Sequence, residues 1–187
     1  MSGYRELLLG CGFRREKLIH PNGSREWHNL VTLDHNPACE PDISFPLRSF
    51  GRWGYTPYED GGPVDRLPDN SYDEIHAYEV LEHLGRQGDV ESFFHDFGEI
   101  WRILKPDGFL CATCPAGPLW TWGDPGHCRV INEGSLVFLS QAEYAKQLGK
   151  TPMSDYRSWL GKTDFRLIPG LSSMTRDSFI FVLQALK

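Results

Sequence analysis

Leu7-Leu8-Leu9 is an unbroken aliphatic run, and it stops at once on Gly10-Cys11-Gly12. A run without polar alternation reads as a strand buried on both faces, and glycines directly behind it permit a tight turn. The pattern recurs. Leu30-Val31-Thr32-Leu33 closes on Asp34, and a weaker strand lies within residues 41–47 around Ile43. Tyr72-Asp73-Glu74-Ile75-His76-Ala77 leads through Tyr78-Glu79-Val80 into a short helix at Leu81-Glu82-His83-Leu84. Phe109–Cys114, Phe165–Ile168 and Phe179–Leu186 complete the set. Between the strands, residues 14–20 have room for a turn or two of helix before Pro21-Asn22-Gly23. Phe93, Phe94, Phe97, Ile100, Trp101 and Leu104 fall on one helical face, which Pro106-Asp107-Gly108 terminates. A further helix is expected over 135–148. Strands alternating with crossovers imply a mostly parallel, three-layer α/β sheet. Only residues 169–178 join the last two strands, so these should pair antiparallel at the end of the sheet.

The chain has 187 residues, which fits one domain, 1–187, with 48–66 as an insertion or flap and 115–130 as an acceptor-side loop. Nineteen Lys and Arg against 25 Asp and Glu leave a net charge of −6, which argues against a dedicated nucleic-acid or anionic-membrane binder. No apolar run reaches the ~18 residues of a membrane span, and the first strand begins almost at the N-terminus, so a cytoplasmic location is expected. Five cysteines, an odd count, do not form a disulfide framework.

Gly10-Cys11-Gly12 lies at the carboxyl end of a strand, where open α/β sheets bind ligands. Asp34 follows about twenty residues on, at the end of the second strand, where a carboxylate can take both hydroxyls of a ribose. A dinucleotide fingerprint would need glycine where Arg15 stands, and a long helix where Pro21 interrupts. A ligand with adenosine and no phosphate fits better, and S-adenosylmethionine (SAM) is the common one.

Leu7-Leu8-Leu9-Gly10-Cys11-Gly12, Val31-Thr32-Leu33-Asp34, Leu67–Ile75 with Glu79-Val80-Leu81-Glu82-His83-Leu84, and Ile103-Leu104-Lys105-Pro106-Asp107-Gly108-Phe109-Leu110 occur in this order. Over residues 6–115 the chain resembles the class I SAM-dependent methyltransferases. The resemblance implies a Rossmann-like, mostly parallel seven-stranded sheet with a terminal antiparallel strand, SAM as cofactor and S-adenosylhomocysteine as product. It places Gly10, Cys11 and Gly12 beneath the methionine part of SAM, Asp34 on the ribose, and His35 beside the adenine. Ile43 joins the cofactor residues, and Tyr78 and Glu79 border the methionine moiety and the acceptor pocket. Three features depart from the family pattern. Phe13-Arg14-Arg15 replaces a third glycine, the first crossover is short, and Pro46 stands where many relatives carry an acid, with Asp42 a substitute by position.

His127 and His83 are the candidate bases, His83 reading more readily as a structural hydrogen bonder than as a base, beside a structural Glu82. Trp120 to Arg129 lies at the ligand-binding edge, with Asp124, His127 and Arg129 as a base, a cation and donors, or as a rigid loop with tryptophans packed inward. The 48–66 segment, with Trp53, Tyr55 and Tyr58, reads as a lid or as a decorated flap. Cys111 and Cys114 have CxxC spacing, but residues three apart on a strand point to opposite faces, so no metal is expected. The function that follows is methyl transfer from SAM to an O or N acceptor. The acceptor is expected to be a small molecule, with nucleic acid or a protein side chain as alternatives. A non-catalytic SAM-binding module and a nicotinamide-dependent oxidoreductase are the competing classes. No membrane partner is expected. A cap over the acceptor would come from 48–66, 115–130, 150–164 or a second subunit in a homodimer.

Overall fold

The computed structural model describes residues 3–48, 51–59 and 62–187. Its strands are β1 (Glu6–Leu9), β2 (Leu30–Asp34), β3 (Ile43–Ser44), β4 (Tyr55–Glu59), β5 (Gly62–Asp65), β6 (Tyr72–Tyr78), β7 (Leu104–Pro115), β8 (Phe165–Leu167), β9 (Ser173–Met174) and β10 (Ser178–Ala185). The helices are α1 (Val90–Ile103), α2 (Pro118–Gly123), α3 (Glu133–Leu136), α4 (Gln141–Gln147) and α5 (Arg157–Leu160). The main sheet has eight strands in the order β3-β2-β1-β6-β7-β10-β8, with β9 also paired to β10. From β3 to β7 every pairing is parallel, whereas β10 runs antiparallel to β7, β8 and β9. The expected antiparallel pair is therefore present, with β10 inside the sheet and β8 at its edge.

One face of the sheet packs on the helices. Leu7 and Leu9 of β1, Ile75 and Ala77 of β6, Leu110 and Ala112 of β7 and Phe181 and Leu183 of β10 form a single core with α1. The α1 stripe, Phe94, Phe97, Ile100 and Ile103, is at most 4% exposed, and each such side chain contributes roughly 1.5–3 kcal/mol by leaving water. Asp89 starts this helix by accepting from the Ser92 N–H at 3.1 Å. The expected turn at 106–108 is instead a loop-out within β7. Tyr72 pairs with Leu104 but Glu74 pairs with Phe109, and Asp107 takes a φ of 62°. The helix expected over 135–148 is broken, because Ser140 caps a new start by accepting from the Glu143 N–H.

The second face is covered differently. Residues 13–20 form no helix, contrary to expectation, and the third layer is an irregular segment. The cause is the sheet itself, which turns Glu6, Glu74 and His76 toward this face, all fully buried. Lys17 descends onto them, bonding Glu6 and lying 3.0 Å from Glu74. His76 bonds Glu74 at 2.8 Å, and Tyr4 donates to Glu74 at 2.6 Å. A regular helix would satisfy its own backbone but would not by itself bring a cation to these carboxylates, and unpaired buried charge is costly.

The β4–β5 hairpin forms a separate two-stranded sheet. Of the 48–66 segment, residues 49, 50, 60 and 61 lie outside the described residues. Trp53 is 1% exposed in the main core, with its N–H on Glu99 at 2.7 Å. Among the described residues no helix is long and apolar enough to cross a membrane.

Candidate active site

The strand order reverses between β1 and β6. From β1 the chain builds outward through β2 and β3, and from β6 it builds the other way through β7. Such a reversal leaves a crevice beyond the carboxyl ends of the strands. Gly10, Asp34 and Glu79, which follow or end β1, β2 and β6, meet there around a cavity of about 520 Å³. Phe45, Pro46 and Leu47 form one wall, and Val80, His83 and Leu84 another. The volume falls within the range of small-ligand sites.

Gly10 has a φ of +59°, and a Cβ on it would lie 2.5 Å from Val80 Cγ2. Asp34 Oδ2 accepts from the Gly12 N–H at 2.9 Å and Oδ1 from the Asn36 N–H at 2.8 Å. It therefore fixes the glycine turn to the end of β2. An ionised carboxylate has about four acceptor positions, so capacity remains toward the cavity that Asp34 lines. His35 Nδ1 lies 3.3 Å from Asp34, and its side chain is 80% exposed. Asp42, the positional substitute for an adenine-side acid, is occupied by the Thr32 N–H and hydroxyl at 2.8 and 2.7 Å. Those bonds hold its carboxyl below the usual range.

Four sequence-predicted residues stand apart from this cavity. Ile43 pairs with Leu33 and is buried in the core. Cys11 and Tyr78, with Gly12, line a second opening of about 880 Å³ under residues 13–20. The Tyr78 hydroxyl accepts from the Leu18 and Ile19 N–H groups at 3.1 and 3.3 Å and meets His76 Nδ1 at 2.6 Å. Burial pushes its pKa up. Glu79 is exposed and has a φ of 54°, an uncommon conformation for a non-glycine residue and one that recurs at functional sites.

Beyond β7 a third cavity, about 560 Å³, is lined by Glu79, Pro115, Leu119, Trp120, Asp124, His127 and Asp177. Glu79 thus borders both this space and the 520 Å³ cavity. The two candidate histidines, 44 residues apart in the chain, come into ring contact here at 4.8 Å between centroids. The Cys128 and Arg129 N–H groups both bond the Glu82 carbonyl, at 2.7 and 3.1 Å, and so clamp the two segments together. Glu82 is fully buried, neither carboxylate oxygen has a hydrogen-bond partner of ordinary geometry among the described residues, and burial raises its pKa to about 7.

The 120–129 loop divides. Asp124 and His127 line the cavity, whereas Arg129 turns inward, 3% exposed, onto Ser92 and Asp96 and over the Phe93 ring. Trp120 and Trp122 are more than half exposed rather than packed inward. Cys111 and Cys114 are buried in separate apolar clusters on opposite faces, and burial raises both thiols. Phe45 and Leu47 are not legible as cavity walls in the sequence, because they follow a two-residue strand with little periodic signal. Glu82 reads as structural from the sequence, and the structure brings a carboxylate oxygen of it within 4.8 Å of ring nitrogens of His83 and His127.

A methyltransferase-domain family model matches residues 58–112, from the β4–β5 hairpin through α1 into β7. No curated protein matches the chain by sequence. Among solved structures, a SAM-dependent methyltransferase from Archaeoglobus fulgidus has a TM-score of 0.50 at 13% identity, covering 97% of this chain and 86% of that one. A chain from the Haloferax volcanii complex between the Trm112 methyltransferase activator and a methyltransferase has a TM-score of 0.53 at 14% identity, covering 100% and 84%. Residues 58–112 thus match a methyltransferase domain, and the architecture of the whole chain is the fold of these solved methyltransferase structures.

Proposed function

We propose that this chain transfers the methyl group of SAM to an oxygen or nitrogen of a small-molecule acceptor. The observation that carries the reading is Glu79, which lines both the cavity at Asp34 and the cavity at His127. The adenosine end of SAM would lie against Asp34, His35 and the Phe45–Leu47 wall, and its methionine end would cross Gly10. The sulfonium already makes the methyl group electrophilic. The protein's task is to hold the acceptor in line with it and to exclude water.

Trp120, beside the acceptor cavity, offers a flat apolar surface, and its ring N–H is fixed to Asp177 at 2.8 Å. The neighbouring walls carry Glu79, Asp124 and Asp177. Three carboxylates around the space favour a neutral or cationic acceptor and disfavour a nucleic-acid backbone. His127 Nδ1 faces the Thr121 carbonyl and His83 Nδ1 faces the Gly126 carbonyl, at 3.2 and 3.0 Å. Each ring therefore presents Nε2 as the free acceptor, suited to take a proton from a hydroxyl or ammonium. This reading treats 1–187 as one catalytic domain in which the 115–130 loop builds the acceptor wall. Its five unpaired cysteines suit a reducing, cytoplasmic setting.

Calorimetric titration with SAM and with S-adenosylhomocysteine tests the proposal. Saturable one-to-one binding is expected. A folded protein that binds neither at millimolar ligand overturns it.

A further inference from the structure

We infer that Glu82, His83 and His127 form a binding site for a first-row divalent transition-metal ion, at the junction of the two cavities. One ligand atom from each residue lies within 4.8 Å of the others. The Glu82 carboxylate approaches His83 Nε2 at 4.0 Å, from a side chain only 1% exposed. Among the described residues neither Glu82 oxygen has a hydrogen-bond partner of ordinary geometry, the Cys114 thiol being a weak donor beside it. A buried carboxylate met only by a weak thiol donor is costly unless something else meets it.

The histidines supply the second line of argument. Each Nδ1 faces a main-chain carbonyl, Gly126 for His83 and Thr121 for His127. A carbonyl only accepts, so each Nδ1 carries the proton and each Nε2 keeps its lone pair. This is the outer-shell arrangement that fixes metal-ligating histidines. Asp124 adds a carboxylate oxygen 3.9 Å from His127 Nε2 while its other oxygen accepts from the Gly126 N–H.

Two imidazole nitrogens and one carboxylate suit zinc, cobalt, manganese or ferrous iron better than calcium or magnesium. Donors ~2.1 Å from a tetrahedral ion lie ~3.4 Å apart, so the cluster needs to close by roughly 1 Å. His83, 43% exposed, has the freedom to do so. An ion held there would occupy both histidine Nε2 atoms and replace the histidines as base; bordering the acceptor cavity that His127 lines, it would favour the deprotonated form of a bound hydroxyl. That consequence rests on the methyl-transfer reading, but the binding itself does not.

The test uses tag-free full chain, stripped with a chelator and titrated with cobalt(II) without SAM. Calorimetry and the visible absorption of the ion are the readouts. One-to-one binding with nitrogen-ligand absorption is expected, together with a rise in unfolding temperature. His83→Ala and His127→Ala should each weaken cobalt(II) by about 100-fold or more and remove that absorption, and Glu82→Gln should do the same if it folds. His95→Gln, outside the cluster, should bind as the parent does. No saturable binding at millimolar cobalt(II), or unchanged affinity in both histidine variants, overturns the site. SAM titration of His127→Ala separates the two proposals: loss of cobalt(II) with SAM binding retained concerns the metal alone, and absence of SAM binding in the parent concerns the methyl-transfer reading alone.

Discussion

Replacing Lys17 with methionine removes a buried cation while preserving most of its length and packing. In the folded chain the ammonium sits on Glu6 and Glu74, and all three side chains are fully buried. Burial alone would lower the Lys17 pKa, but the two carboxylates outweigh it and hold it above its ordinary value. Burial would likewise raise Glu74. Hydrogen bonds from His76, Tyr4 and Lys17 outweigh that too and bring its carboxyl from 4.5 to about 2. That depression corresponds to about 3 kcal/mol. The stability it contributes is complete above the unfolded pKa near 4.5 and is lost as pH falls toward 2. Lys17→Met leaves two carboxylates buried without their cation, a change that costs about 3–5 kcal/mol. For a chain of this size each kcal/mol moves the midpoint by about 2–4 °C, so thermal unfolding at pH 7.5 should show a fall of ~10 °C. In the variant the Glu74 carboxyl loses the cation that helps hold it down, and it takes a proton at higher pH than in the parent. The difference from the parent should therefore shrink by at least half at pH ~4.5, and adding Glu6→Gln should recover part of the loss. A fall below ~3 °C at pH 7.5, or a deficit that does not change with pH, would refute the account of this face as an ion-pair centre.

Other substitutions probe the site directly. Asp34→Ala should weaken SAM by about 1–3 kcal/mol, roughly 5- to 150-fold by calorimetry, if the carboxylate holds the ribose hydroxyls; an unchanged Kd removes it from that role. Gly10→Ala places a Cβ 2.5 Å from Val80 Cγ2 at a positive φ, so it should lower stability by about 1–3 kcal/mol, and Val80→Ala in the same chain should relieve only the contact part. Gly85→Ala meets Arg129 Nη2 at 2.0 Å; a denaturation midpoint equal to the parent's would show that Arg129 is not held as a buried strut.

Residues near one another in the chain account for much of the architecture. Leu7-Leu8-Leu9 before Gly10, and Leu30–Leu33 before Asp34, are strands whose apolar runs only a covered parallel sheet can bury, and they pair in register from Glu6 with Leu30 to Leu9 with Leu33. The stripe from Phe93 to Leu104 has one apolar face, and α1 forms there because that face has a core to meet. The glycine turn and Asp34 could be located for the same reason, since each follows the end of a recognisable strand. Lys17 was not legible, because between Glu16 and Leu18 it looks like a surface residue. Its role depends on Glu6 and Glu74, brought side by side by β1 and β6. The alternation of side chains across the sheet likewise separates Tyr78 from Glu79, a distinction that needs the packing of residues 13–20 to acquire meaning. His83 and His127 could be named as candidates from their types, but their contact comes from the turn after β6 being clamped to the loop after α2. Local sequence determined the strands, the helix and the turns that end the strands, because propensity and periodicity act over a few residues. Tertiary structure decided which charges share a buried face and which donors converge, because burial and electrostatic pairing depend on distance through space.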